Sequence, residues 1–258
     1  MRSSSTLLLC LLPCFAAAMT PTDGYVSYSG TASALHAAQF LYGERDVLHY
    51  QGGRLTERIQ LYTCRDGSAF ARKLVGDQDP LAPDFALSDA ANGMQEGIRG
   101  EAGARIVYFR ASASDAERSA PVPRVDGLVS DTGFDEFVRR NWTRLMSGAP
   151  VTVRFLVPSR LQDYSFQAQH LRSSAVGGVP AESFRLRLSG FWGWFLPGID
   201  VSYSAGDHQL VRYEGLSDLR NSAGDNFKTA IEFPPQDRQS SSEQAMREAR
   251  QAPLARCP

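Results

Sequence analysis

The sequence predicts a mainly β protein: an antiparallel sheet with one amphipathic helix packed on it. Three observations carry this expectation. Several segments alternate between apolar and polar residues, as strands with one covered and one wet face must. Only one stretch repeats its apolar residues at helical spacing. A turn-rich link between two of the alternating runs suits a hairpin.

Taken in order, strands are expected near 25–29, 47–51, 59–64 and 105–110. The stretch 76–92, with Asp77, Asp79, Pro80, Pro83, Asp84 and Asp89, reads as a long surface loop. Residues 111–124, rich in Ser, Ala and Pro, are a candidate internal division of the chain. Phe134, Phe137, Val138, Trp142, Leu145 and Met146 then form a helical stripe, with Thr132-Gly133-Phe134-Asp135 shaped like a capping box. Acids in its first turn and arginines in its last suit the helix dipole, and Gly148 and Pro150 end it. Strands resume with Val151, Val153, Phe155 and Val157 on one face, and with Phe184, Leu186 and Leu188 alternating with Arg185 and Arg187. Runs 200–203 and 210–214 flank Ser204-Ala205-Gly206-Asp207, the hairpin link. A last strand at 227–233 stops at Pro234-Pro235. The expected organisation is a signal peptide at 1–18, a β-rich domain at 19–235 and a mobile polar tail at 236–258.

The first residues set the compartment. Arg2, an apolar run from Leu7 to Phe15 and the small residues Ala16, Ala17 and Ala18 follow the order of a secretory signal peptide. The run is too short to span a bilayer, which takes about 20 apolar residues. A periplasmic or secreted chain cut after Ala18 is therefore expected, with no transmembrane segment in the mature part. Two cysteines would remain, Cys64 and Cys257; they could pair in an oxidising compartment, or Cys64 could be a small buried apolar residue.

Composition excludes several functions. Lys+Arg 27 against Asp+Glu 28 leaves no basic excess for nucleic acid. Only Lys73 and Lys228 among the basic residues are lysines, which reads as compositional bias. The histidines His36, His49, His170 and His208 are scattered, without the H-E-x-x-H spacing of a zinc site. There is no G-x-S-x-G elbow, no G-x-G-x-x-G or phosphate loop and no C-x-x-C, so no cofactor or catalytic residue is assigned. Asp131-Thr132-Gly133 matches the short D-[ST]-G signature of aspartic proteases but has no second copy, and a helix cap explains it better. Asp77, Asp79 and Asp84 lack the glycine and terminal glutamate of an EF-hand and read as a solvated loop. The sequon Asn141-Trp142-Thr143 lies within the expected helix and is discounted.

The remaining candidate is the aromatic run Phe191-Trp192-Gly193-Trp194-Phe195. Core burial is one account of it; the other is that Phe191, Trp192, Trp194 and Phe195 line a cavity for an apolar ligand. Repeated antiparallel strands with one helix, closing with Asp200-Val201-Ser202-Tyr203 and Leu210-Val211-Arg212-Tyr213-Glu214-Gly215, resemble the half-barrel class of the periplasmic lipoprotein carriers LolA and LolB. The chain also resembles uncharacterised Gram-negative envelope proteins. The resemblance implies a curved, half-barrel-like sheet whose concave face holds the helix and an apolar, lipid-like ligand. The expected function is non-enzymatic binding or transfer of that ligand. The alternatives are a secreted hydrolase with catalytic groups from distant strands, or a structural subunit with an envelope protein partner.

Overall fold

A computed structural model describes residues 23–76, 79–190 and 198–257. In chain order the elements are β1 (Gly24–Ala34), β2 (Phe40–Gln51), β3 (Arg54–Thr63), β4 (Ala69–Val75), β5 (Phe85–Asp89), β6 (Gln95–Glu101), β7 (Ala104–Arg110), β8 (Arg118–Pro121) and β9 (Leu128–Val129). The helices α1 (Gly133–Arg140) and α2 (Trp142–Met146) follow. Then come β10 (Val151–Val157), β11 (Gln162–Val176), β12 (Val179–Leu188), β13 (Ile199–Ser204), β14 (Leu210–Arg220), β15 (Asn226–Glu232), β16 (Gln239–Ser240) and α3 (Glu243–Gln251).

All strands belong to one sheet, ordered β8-β7-β6-β5-β4-β3-β2-β1-β15-β14-β13-β12-β11-β10-β9, with β16 beside β1. Pairing is antiparallel except between β9 and β10. The long strand β1 joins the two halves: β2 lies along one edge, β15 and β16 share the other. Stretch 111–124 carries β8 at one edge of the sheet, and the chain next enters β9 at the opposite edge. Among the described residues no ladder joins β8 to β9, so the sheet stays open. It curls nonetheless, because Leu128 and Leu156 from one edge pack against Phe85, Ile98 and Val107 from the other half.

The alternation in the sequence sorts the faces. Val151 and Val153 on β10, Phe184 and Leu186 on β12, and Val201 and Tyr203 on β13 point to the inner face and bury Phe134, Phe137, Val138 and Leu145 of the helices. The expected single helix is broken at Asn141. That residue leaves helical geometry (φ −103°, ψ 10°), and its side-chain amide donates to the Phe137 carbonyl at 2.9 Å. The stripe continues in α2, where Trp142 is half-buried rather than central. Thr132 makes no side-chain cap, and Asp135 turns away from the helix end to accept from Tyr203 and Arg58.

Two expectations need correction. The stretch read as a surface loop contains β5, with Phe85 and Leu87 buried; Asp79, Pro80, Pro83 and Asp84 precede that strand, and Asp89 is its buried last residue. The C-terminal segment expected to be a mobile tail holds α3. Val47, Ile59 and Leu61 face outward from β2 and β3 and would be wet without a cover. Met246 and Ala249 of α3 bury them, Ser242 caps the helix by accepting from the Ala245 N–H, and a Cys64–Cys257 disulfide fastens its end. Among the described residues no helix is long and apolar enough to cross a membrane.

Candidate functional site

The inner face of the first half carries charge. One row of directly opposed residues crosses seven strands: Tyr28, Asp46, Gln60, Lys73, Leu87, Glu96 and Phe109. Asp46, Gln60, Lys73 and Glu96 are all buried there, with Glu44 and Arg58 beside them. Charged residues this deep need partners. Arg58 donates from Nε to Asp46 at 2.7 Å and from Nη1 to Asp135 at 3.4 Å. Lys73 donates to Asp218 at 2.6 Å and to Asp131. The Tyr203 hydroxyl donates to the other Asp135 oxygen at 2.8 Å, and Gln60 Nε2 donates to Glu44 at 2.8 Å.

These groups form one end of a cavity of about 200 Å³ inside the curved sheet. Glu44, Arg58, Gln60, Lys73, Asp131, Asp135 and Asp218 line the polar end. The second half supplies an apolar wall from Phe155 on β10, Leu186 on β12, Ile199 and Val201 on β13, and Leu210 and Tyr213 on β14. Ile231, Phe233 and Phe134 of α1 complete it. Leu216, 42% exposed, is the large apolar side chain left open to solvent among the described residues, and it stands on the cavity rim.

Burial sets the protonation of this end. It pushes the Glu44 carboxyl up to about 8, helped by the neighbouring Asp46 charge and opposed by Arg58. Burial and the Asp218 charge likewise lift Glu96 to about 8, with Lys73 pulling the other way. Burial thus shifts both toward the protonated form at neutral pH. Burial alone would pull Lys73 down, but Asp131 and Asp218 hold it well above its ordinary value, so the ammonium stays charged. Asp131 is lifted by burial against the pull of Lys73.

The D-T-G tripeptide finds its explanation here. Asp131, in a left-handed backbone conformation (φ 47°), places its carboxylate on Lys73. Gly133 permits close passage of the 79–82 turn, because a Cβ on it would lie 1.8 Å from the Leu81 carbonyl oxygen. The tripeptide is neither cap nor protease dyad. Among the described residues no histidine or cysteine lines the cavity. His170 pairs with Glu182, His49 stacks on Tyr25 and His208 stacks on Trp142, each at a separate place. Among the described residues no group of three or more His, Cys, Asp or Glu is placed to hold a metal ion.

No protein-family model and no curated protein sequence matches the chain. Among solved structures it is similar to a β-barrel-like protein of the domain of unknown function DUF1849 from Brucella abortus. There the identity is 8%, the match covers 87% of this chain and 100% of that one, and the TM-score is 0.46. It is also similar to an outer membrane lipoprotein-sorting protein domain from Vibrio parahaemolyticus, at 8% identity over 88% of this chain and 89% of that one, with a TM-score of 0.34.

The ligand-contact residues expected from sequence, Phe191, Trp192, Trp194 and Phe195, lie outside the described residues. In sequence they fall between Leu186 of β12 and Ile199 of β13, two residues that line the cavity. Sequence reasoning missed the polar end. Its one available signal was Glu44 and Asp46, followed by Arg58 and Gln60: charged and amide residues two apart, on the same strand face as Leu48 and Tyr62.

Proposed function

We propose that the protein is a non-enzymatic binder of an apolar, lipid-like ligand, acting in the periplasm after removal of residues 1–18. The observation that carries this reading is the cavity: about 200 Å³, with one continuous apolar wall and an apolar residue at its rim. A buried apolar cavity of about 150 Å³ takes up benzene. This one accommodates a ring or a short acyl segment, and the rest of a longer ligand would emerge past Leu216. Burying about six methylenes contributes roughly 5 kcal/mol, a millimolar to micromolar affinity for a single chain. Phe191, Trp192, Trp194 and Phe195 keep the apolar contact role that the sequence suggests as part of this proposal. A fluorescent apolar probe, 1-N-phenylnaphthylamine, should brighten on titration with the protein. Ile199→Trp, which fills the cavity from β13, should weaken that binding at least about tenfold while the melting temperature holds. Equal probe binding by the two proteins would place the ligand elsewhere and sink the proposal.

A further inference from the structure

Four tyrosines among the described residues line the cavity, and three of their hydroxyls are spent inside the protein. Tyr42 bonds Ser217 Oγ at 2.9 Å, Tyr203 donates to Asp135 at 2.8 Å, and Tyr213 donates to the Leu216 carbonyl. Tyr62 is the exception. It is 4% exposed, and its hydroxyl has no hydrogen-bond partner among the described residues. The strand register explains this. Tyr62 stands between Ala71 on β4, which has no polar side chain, and Glu44 on β2, which accepts from Gln60. The Tyr62 ring is held edge-on by Tyr42 at 5.8 Å, and its hydroxyl sits in the field of Lys73, Glu44, Asp218 and Asp131 at the polar end. Protein atoms seal Asp131 Oδ2 and Gln60 Oε1, but the Tyr62 oxygen stays open to the cavity. Burial holds the phenol well above its ordinary value, so it keeps its proton and is neutral. Buried polar groups almost always have a partner, and a free donor aimed into a cavity calls for an acceptor there.

We infer that Tyr62 is a specificity residue for the ligand, donating its hydroxyl to an uncharged acceptor oxygen, such as a carbonyl, on an amphiphile whose chain lies along the apolar wall. This rests on the ligand reading above and names its chemical class. The charged groups at the polar end are already matched to one another. Arg58 faces Asp46 and Asp135, and Lys73 faces Asp131 and Asp218, so an entering carboxylate finds both cations engaged and adds a like charge beside Asp218. An entering ammonium gains little in return for its lost water. One Asp135 oxygen is held by Tyr203 and the other by Arg58, Asp131 Oδ2 is sealed, and Glu44 is shifted toward its protonated form. A neutral oxygen sheds its water most cheaply and matches the neutral hydroxyl that is left over.

The test is competition at pH 7 for bound 1-N-phenylnaphthylamine by four compounds of similar length: methyl octanoate, octanoate, octylammonium and nonane. On the unaltered protein, methyl octanoate should bind at least about tenfold more tightly than octanoate or octylammonium. Tyr62→Phe removes the hydroxyl and keeps the ring; checked for folding by circular dichroism, it should weaken methyl octanoate about fivefold, the worth of one net hydrogen bond, and leave nonane within about twofold. An unchanged affinity for methyl octanoate in Tyr62→Phe, or an equal loss for methyl octanoate and nonane, overturns the role of Tyr62. Octanoate or octylammonium binding the unaltered protein as tightly as the ester overturns the uncharged class without recourse to the variant. In each of these cases the apolar-ligand reading stands. If none of the four displaces the probe, the ligand reading falls with it.

Discussion

Replacing Lys73 with methionine keeps the aliphatic stem and removes the charge. The ammonium side chain is 3% exposed and bridges Asp131, 8% exposed, and Asp218, 46% exposed. Removing one partner of a buried pair costs about 3–5 kcal/mol, because the other charge is left unpaired in a poor solvent. Asp218 is half-exposed and keeps its water, so its share is at most about 1 kcal/mol. Asp131 carries the rest and can escape part of it by taking up a proton. The expected loss at pH 7 is about 3 kcal/mol, or roughly 6–12 °C for a domain of this size. The loss should also depend on pH. Burial already lifts Asp131, and without Lys73 its folded value rises further above the unfolded one. An acid shifted that way is at its most favourable below its unfolded pKa, and that stability is lost as pH rises through the folded value. The deficit of Lys73→Met should therefore be small at pH 4.5 and full by pH 8. The lysine's own titration lies above its ordinary value in the folded protein and stays outside this window. Urea unfolding followed by circular dichroism at pH 4.5, 7 and 8 measures it. A deficit under about 1 kcal/mol at pH 8, or one that does not change with pH, would refute the buried-pair account.

Three further perturbations follow from the same physics. Glu44, at about 8 in the folded state, loses stability as pH rises from its unfolded value through 8, so Glu44→Gln should match the parent near pH 5 and exceed it in urea midpoint by pH 9. Trp142 stacks on His208 at 3.6 Å and meets Phe184 edge-on at 5.2 Å, but it is only half-buried; Trp142→Ala should lower stability by about 2–3 kcal/mol, below the range for a fully buried tryptophan, as read by urea unfolding. The Cys64–Cys257 disulfide spans 193 residues, so Cys64→Ala with Cys257→Ala should cost about 3–5 kcal/mol and loosen α3, visible as faster amide exchange at Met246 and Ala249.

How far the sequence could be read depended on where the partner of each residue lay. The alternation at Val151–Val157 and around Phe184 and Leu186 gave the strands and their inner face, since a period of two survives whatever packs against it. The helical stripe was legible, but its break was not, because Asn141 ends α1 through a local side-chain bond that competes with the helix. The tail looked polar because α3 is narrow: only Met246 and Ala249 bury, and what they bury against sits about 190 residues earlier, on β2 and β3. The candidate site was hidden for a related reason. Nothing in the local pattern singles out Glu44, Asp46 and Arg58 until the curled sheet buries them, and Lys73 reads as an oddity of composition until Asp131 and Asp218 arrive from distant segments. Asp131-Thr132-Gly133 read as a cap, and the role it has instead, Asp131 against Lys73, is one no local pattern could state.

The central claim is that the cavity between Phe155, Ile199 and the Lys73 cluster holds an apolar ligand. The most direct test is native mass spectrometry of the full chain expressed with export and purified without detergent, beside Ile199→Trp prepared the same way. The account expects a polypeptide beginning after Ala18 that carries an extra mass extractable into organic solvent, with that mass absent from Ile199→Trp. A bare polypeptide mass for the unaltered protein that also fails to take up 1-N-phenylnaphthylamine would contradict it.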